Sequence, residues 1–176
     1  MSWRLDPTQS GVLLVDLQER LMPAIAEGER VARKAADLLG VAEIFALPVF
    51  VTEQVPAKLG PTLPGLELAR RGITPIPKSA FSAASALPEA LPKIVLVAGV
   101  ETHVCVRQTV YDLRLGGRTV YVIADAAGSR HPGDHRLALE EMRQDKILTP
   151  SLEAVAWELA GSAESPHFKR LLGLLK

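Results

Sequence analysis

The chain has 176 residues, of which 48% are hydrophobic, and its 20 basic residues balance its 20 acidic residues. This composition fits one globular domain with a sizeable core and excludes a disordered chain. The balanced charge predicts neither nucleic acid nor an anionic membrane surface as a partner, and the single cysteine excludes an internal disulfide or a multi-cysteine metal site.

The cellular compartment of the protein can be inferred from its apolar segments and its single cysteine. The N-terminus has no apolar signal core, and no apolar run approaches the ~20 residues that a membrane span requires. One unpaired cysteine suits a reducing environment. We therefore expect a cytoplasmic protein that does not bind membranes.

Short apolar runs alternate along the chain with segments of helical periodicity. Strands are predicted at residues 11–15, 48–52, 73–76, 93–98, 119–124 and 147–148. Helices are predicted at residues 29–46, 102–115, 135–143, 151–159 and 165–175. This alternation indicates a parallel sheet with right-handed crossovers. We expect residues 1–176 to form a single doubly wound α/β domain, with a central parallel sheet of about six strands and helices on both faces.

Three polar residues follow the first, third and fourth predicted strands. Asp16 and Lys78 come at or just after the ends of their strands, and Cys105 lies in the first turn of the next helix, for which Thr102 is a suitable N-cap. Ligands of parallel α/β sheets bind at the carboxyl ends of the strands. The three side chains are therefore candidates for one site.

A nucleophilic thiol needs a base to accept its proton and a cation to stabilise its anion. Asp16 can be the base and Lys78 the cation. The helix N-terminus and Lys78 favour the thiolate and predict a pKa for Cys105 below the ~8.5 of a free thiol, whereas the charge of Asp16 opposes it. Each residue also has a structural alternative: Cys105 as a small buried hydrophobe, Asp16 as a helix cap and Lys78 as a solvated surface charge.

Several common sites are missing from the sequence. It contains no Gly-x-Gly-x-x-Gly, no Gly-x-x-x-x-Gly-Lys and no Gly-x-Ser-x-Gly. These absences argue against a dinucleotide fold, a P-loop and a serine hydrolase elbow. No cofactor is expected.

The chain resembles the isochorismatase-like cysteine hydrolases, a superfamily that includes nicotinamidases and N-carbamoyl-amide hydrolases. The resemblance covers nearly the whole chain. It is carried by VLLVDLQ at 12–18, PKSAFSA at 77–83, AGVETHVCVRQTVYDL at 98–113 and VIADAAGSR at 122–130. In detail the chain is most similar to the small isochorismatase-domain proteins of poorly defined activity.

The resemblance implies a catalytic triad of Asp16, Lys78 and Cys105. It also implies a non-proline cis peptide before Glu101, which would turn the N–H groups of Glu101 and Cys105 toward a shared oxyanion position. Nicotinamidases carry a histidine-containing metal site after the second strand. Residues 52–56 contain no histidine, so no metal is expected.

Three further residues are candidates for substrate binding. Gln18 and Gln54 resemble polar residues of the pocket, and Phe81 resembles one of its walls. As alternatives, the two glutamines could hold loops by hydrogen bonds and the phenylalanine could be a core ring.

These features predict a metal-independent cysteine hydrolase that acts on a small amide or related acyl substrate through a thioester intermediate. Two alternatives stay open. One is isochorismatase-type vinyl-ether hydrolysis, which proceeds by protonation without a thiol nucleophile. The other is a binding or scaffold protein that retains the site without turnover. The apolar helix stripes, the neutral charge and the resemblance also predict a homo-oligomer.

Overall fold

The structure, a computed structural model, describes residues 5–176. Its centre is a parallel sheet, as the alternating sequence pattern predicts, and it has five strands instead of about six. The strands are β1 (Ser10–Val15), β2 (Val49–Gln54), β3 (Ile76–Lys78), β4 (Ile94–Val100) and β5 (Thr119–Gly128). Their order across the sheet is β3-β2-β1-β4-β5. The chain therefore moves from β1 to one edge and returns past β1 to the other, which creates a switch point between β1 and β4.

Helices cover both faces of this sheet. They are α1 (Gly28–Phe45), α2 (Pro56–Leu59), α3 (Arg107–Leu115), α4 (Pro132–Gln144), α5 (Leu152–Ala160) and α6 (Phe168–Leu174). One hydrophobic cluster includes α1, α5 and α6, and a second includes α3 and α4. The doubly wound α/β fold is thus confirmed. Among residues 5–176, no helix combines the length and the hydropathy that crossing a membrane requires.

The central strand β1 shows why its sequence is continuously apolar. Val12 and Leu14 pack into the cluster beneath α1, and Leu13 and Val15 pack into the cluster beneath α3. All four side chains are fully buried. A strand that is covered on both faces has no solvent side on which a polar residue would be favoured.

The predicted sixth strand, residues 147–148, is wrong as a strand. Leu148 forms only an isolated parallel bridge with Tyr121. The segment is two residues long and is soon followed by Pro150, which has no N–H to extend a ladder of hydrogen bonds. The sheet therefore ends at β5.

The third strand is displaced from its predicted position at residues 73–76. It runs from Ile76 to Lys78 and pairs only with β2. Pro77 is tolerated because β3 is an edge strand, so the missing N–H can face away from the sheet. As a result, Lys78 is the last residue of the strand itself.

Candidate active site

Asp16 and Lys78 meet in the interior at the carboxyl end of the sheet. Asp16 follows β1 directly, with a left-handed φ of 59°, and is completely buried. Lys78 Nζ lies 2.7 Å from Asp16 Oδ2. Because β2 separates β3 from β1, the lysine side chain must extend across the end of β2 to reach the carboxylate.

Strand β2 supplies polar partners in the space between them. Thr52 Oγ1 donates to Asp16 Oδ1 at 2.9 Å, and Gln54 Oε1 accepts from Lys78 Nζ at 2.6 Å. Thr52 pairs in register with Val15, the residue before Asp16. Thr52 was not predicted as a site residue, although it is the polar residue that follows the apolar run of β2, the same signal that identifies Asp16.

The chain after β3 surrounds the ammonium group. Lys78 Nζ also donates to the backbone carbonyl of Phe81 at 3.0 Å and to that of Ala80 at 3.3 Å. The alternative of a solvated surface charge is therefore wrong for Lys78, whose side chain is 2% exposed. The buried cation is stabilised by one carboxylate and several neutral oxygens.

Cys105 lies beside the carboxylate, on a turn that differs from the predicted one. Residues Thr102–Val106 form a π-helical turn, and α3 begins only after it. The Thr102 hydroxyl does not cap the helix but donates to the carbonyl of Gly128 at 3.0 Å. Cys105 is 5% exposed, and its thiol lies close enough to Asp16 for the carboxylate to raise the pKa of the thiol. The structure thus brings Asp16, Lys78 and Cys105 together.

The pKa values of this group follow from its burial. Burial raises the pKa of Asp16, while the charge and hydrogen bond of Lys78 oppose that rise. Burial, reinforced by the charge of Asp16 and opposed by Lys78, raises the pKa of Cys105 to about 12. The expectation of a thiol pKa below that of free cysteine is therefore wrong, because desolvation and Asp16 outweigh the favourable charges. The thiol is protonated at neutral pH.

Glu101 occupies the bend between β4 and the π-helical turn. Its φ is 54° and its ψ is 61°, in the left-handed region. The peptide bond before it is trans, as are all the others in residues 5–176. The expected cis peptide is therefore wrong, and the left-handed residue turns the chain instead. That the N–H groups of Glu101 and Cys105 donate hydrogen bonds to an oxyanion stays a prediction.

The Isochorismatase domain family matches residues 10–151, which include all three of these side chains. The chain belongs to the isochorismatase-domain family. Isochorismatase domain-containing protein 2A of Mus musculus is 37% identical over 98% of this chain and 85% of its own length.

Solved structures of similar proteins have the same fold. The chain is similar to the structure of MAR1 ribonuclease from Caenorhabditis elegans, with 32% identity, a TM-score of 0.89 and coverage of 98% of this chain and 92% of that chain. It also shares its fold with the YcaC gene product of Escherichia coli, with 24% identity, a TM-score of 0.86 and coverage of 99% and 96%.

In this isochorismatase-domain protein, the side chains of Gln18 and Gln54 hydrogen-bond to backbone groups of the segments around the site. Gln18 Oε1 accepts from the Gln54 N–H at 2.7 Å, and Gln18 Nε2 donates to the carbonyls of Gly60 at 2.7 Å and Gln54 at 3.1 Å. Gln54 Nε2 donates to the Ser79 carbonyl at 2.7 Å. Both amides are engaged within the chain, which matches the loop-holding alternative. Substrate contact by either glutamine stays a prediction.

Phe81 differs from the two glutamines because its side chain is exposed and can contact a ligand. The residue is 54% exposed, and its backbone carbonyl accepts from Lys78. The alternative of a core ring is therefore wrong. That the Phe81 ring forms a wall of the substrate pocket stays a prediction.

The segment in which nicotinamidases carry a metal site has another use here. Thr52 and Gln54 bind Asp16 and Lys78, and Glu53 Oε1 accepts from both the N–H and the hydroxyl of Thr62, at 2.7 and 2.8 Å. Within residues 5–176, no three His, Cys, Asp or Glu side chains are grouped to hold a metal ion. The side-chain oxygens of this segment that could ligate a metal are thus hydrogen-bonded to other groups of the protein.

Proposed function

We propose that this isochorismatase-domain protein is a metal-independent cysteine hydrolase of small amide or related acyl substrates. One observation carries the proposal: the buried Asp16 carboxylate accepts a hydrogen bond from the Lys78 ammonium and lies close enough to the Cys105 thiol to raise the pKa of that thiol. A base in contact with both a cation and a nucleophile meets the requirements of covalent acyl transfer.

Acylation would begin with the neutral thiol. Because the pKa of Cys105 is raised to about 12, a standing thiolate is disfavoured, and Asp16 would take the proton as the sulfur attacks the carbonyl carbon. Burial raises the pKa of Asp16, which makes its carboxylate a stronger base than an exposed one. The N–H groups of Glu101 and Cys105 would hold the oxyanion.

Collapse of the tetrahedral intermediate returns the same proton. Asp16 would donate it to the leaving nitrogen, so that the C–N bond breaks and a thioester remains. Water then attacks the thioester, Asp16 accepts a proton from it, and the departing sulfur takes that proton back. Throughout this cycle Lys78 would balance the charge of the carboxylate, from its position 2.7 Å away.

Vinyl-ether hydrolysis is the second candidate, and one observation favours it. A raised pKa increases the fraction of Asp16 that is protonated at a given pH, so a carboxyl group that can give up a proton is present. In that reaction Asp16 would protonate the substrate, and Cys105 would only line the site. Replacing the thiol should then leave most of the activity.

The two chemistries are separated by one screen. Wild type, Cys105→Ala and Asp16→Asn are assayed against small amides, carbamoyl compounds and isochorismate, with intact-mass detection of acyl-enzyme. The proposal predicts a substrate whose turnover is lost in both variants and whose acyl group adds to wild type only. Activity that survives in Cys105→Ala would support vinyl-ether chemistry. No turnover, with Cys105 inert in wild type, would support a binding protein.

Two of the similar proteins suggest further points. The Caenorhabditis elegans protein is named a ribonuclease. We do not propose ribonuclease activity for the present chain, because its 20 basic residues are balanced by 20 acidic ones, and this balance does not favour binding of a phosphate backbone.

The Escherichia coli protein is described as an octameric hydrolase of unknown specificity. We infer that the present protein is also a homo-oligomer, which light scattering would test.

A further inference from the structure

Three consecutive residues where β4 leads into the π-helical turn contact three consecutive residues at the end of β5 and just beyond it. The contacts are one ion pair and two hydrogen bonds. The pairs are Glu101 Oε1 with Arg130 Nε at 2.5 Å, Thr102 Oγ1 with the Gly128 carbonyl at 3.0 Å, and His103 Nδ1 with Ser129 Oγ at 3.1 Å. We call these three pairs the 101–103 clamp. Since β5 lies beside β4 in the sheet, the clamp joins the ends of two neighbouring strands.

Helix α4 adds a second layer of contacts to the clamp. His135 Nδ1 lies 2.9 Å from Thr102 Oγ1, and Asp134 Oδ2 lies 3.7 Å from His103 Nε2. Every residue of the turn from 101 to 103 is therefore tied to the β5–α4 connection through its side chain. This number of bonds exceeds what ordinary helix initiation needs, because a single capping side chain is usual.

The Glu101 carboxylate is held in an unusual way. Both of its oxygens are buried, and neither has a hydrogen-bond donor in good geometry. It forms an ion pair with Arg130 at 2.5 Å, and the Nδ1 atom of His103 lies 3.3 Å away. A buried carboxylate that lacks hydrogen bonds costs free energy, so its retention calls for an explanation. Arg130 is 55% exposed at its side chain and makes no other ion pair within residues 5–176.

The left-handed backbone conformation of Glu101 indicates what the clamp does. Its φ of 54° is rarely adopted by a residue with a side chain, and such conformations persist only where the surroundings impose them. The N–H of Glu101 is also one of the two oxyanion donors in the proposed function. Rotation of this residue would move that donor away from the oxyanion.

We propose that the 101–103 clamp is a positioning device that fixes the oxyanion donors, with Arg130 as the positioning residue that imposes the Glu101 conformation. This inference rests on the proposed function. It separates two roles within the site: Asp16 and Lys78 act on the Cys105 thiol, whereas the clamp acts on the oxygen of the carbonyl that the thiol attacks.

Two reactions of Cys105 distinguish these roles. Propionaldehyde is uncharged and adds to the thiol: an S–C bond forms, the C=O π pair moves to oxygen, and that oxygen takes the thiol proton. The N–H groups of Glu101 and Cys105 assist this addition, because negative charge develops on the oxygen before it takes the proton and because they donate hydrogen bonds to that oxygen in the adduct. Iodoacetamide instead alkylates sulfur as iodide leaves, and no oxyanion forms. The aldehyde is measured by its slowing of iodoacetamide alkylation.

The test variant is Arg130→Gln. We expect the propionaldehyde concentration for half-protection to rise about tenfold, as for a displaced oxyanion donor, while the alkylation rate stays within about twofold of wild type. Glu101→Gln keeps the backbone N–H but loses the ion pair, and should give the same selective loss. Arg130→Lys retains a cation for Glu101 and should recover most of the protection.

The control is Arg70→Gln, which removes an arginine from the ion pair with Glu67 at 3.0 Å, away from the site. It should leave both reactions unchanged. If wild type is not protected by propionaldehyde, the proposed function fails, and this inference fails with it. If wild type is protected but Arg130→Gln and Glu101→Gln change neither reaction, or slow both equally, only the clamp proposal is overturned.

Discussion

Lys78 Nζ lies 2.7 Å from Asp16 Oδ2, and the two side chains are only 2% and 0% exposed. A buried pair of this kind stabilises little by comparison with an apolar core, because both charges have lost their hydration. Removing one member alone is far more costly, since the other charge is left without compensation. The pair is therefore better explained by the chemistry proposed for Cys105 than by stability.

Lys78→Met should destabilise the fold strongly. It leaves the buried Asp16 without its cation, a change that typically costs about 3–5 kcal/mol of the free energy of unfolding. Urea denaturation at pH 7 measures the loss. Lys58→Met, at an exposed lysine, is the matched control and should unfold as wild type does. The double variant Asp16→Asn/Lys78→Met should recover part of the loss, and a double variant with fully additive losses would contradict the pairing.

Asp16→Asn should abolish turnover while leaving alkylation of Cys105 intact or faster. The amide cannot accept the thiol proton, so catalysis loses its base. The same change removes a negative charge that raises the pKa of Cys105, so the thiolate forms at lower pH. Hydrolysis and iodoacetamide labelling are measured on one preparation. Near wild-type turnover in this variant would show that Asp16 is not the base.

Cys105 should also make stability depend on pH in the alkaline range. Its pKa is raised from 9.0 to about 12, so between these values the unfolded chain loses the thiol proton while the folded protein keeps it. Stability must then fall as pH rises through this window. Urea midpoints of wild type and Cys105→Ala, compared from about pH 8 to about pH 11, isolate the effect because all other groups titrate in both proteins. Parallel profiles would contradict the raised pKa.

The sheet and the meeting of its three polar side chains could be predicted because they depend on local patterns. Runs such as residues 11–15 and 93–98 are apolar without interruption, and in a parallel sheet their carboxyl ends share one edge. That edge brings the segments that carry Asp16, Lys78 and Cys105 to one end of the sheet. The prediction therefore did not depend on side-chain detail.

The finer features depend on tertiary contacts that no local pattern contains. The Thr102 hydroxyl is a good N-cap by type, but it bonds to Gly128, which is distant in sequence. The raised pKa of Cys105 reflects its burial, and the occupied amide of Gln18 reflects the loop that returns to it. Contacts between distant segments decided each of these outcomes.

Activity should survive EDTA. The residues that follow the apolar run of β2 include no histidine, and their side chains bind other groups of the protein: Thr52 binds Asp16, Glu53 binds Thr62 and Gln54 binds Lys78. Turnover is measured after dialysis against EDTA and again after adding Zn²⁺ or Mg²⁺. Loss on chelation with recovery on adding either metal would contradict metal independence.

Gly99→Ala should disrupt the site through the backbone. Gly99 has a φ of 140°, and a Cβ there would lie 2.7 Å from the Val15 backbone nitrogen and overlap the Val15 carbonyl oxygen. Val15 directly precedes Asp16, and Gly99 is two residues before Glu101. The pairing of β4 with β5 also shifts register between Val97 and Gly99, so the strand is already irregular there.

Because both overlapping atoms are backbone, no side-chain rotation can relieve the clash, and β1 and β4 must separate. We expect a loss of at least about 3 kcal/mol in the free energy of unfolding, measured by urea denaturation. Gly133→Ala is the matched control, because no atom lies within 4 Å of its Cβ position and alanine favours the helix. It should be neutral or slightly stabilising. A Gly99→Ala protein that unfolds at the wild-type urea concentration would show that β1 and β4 are not packed this closely.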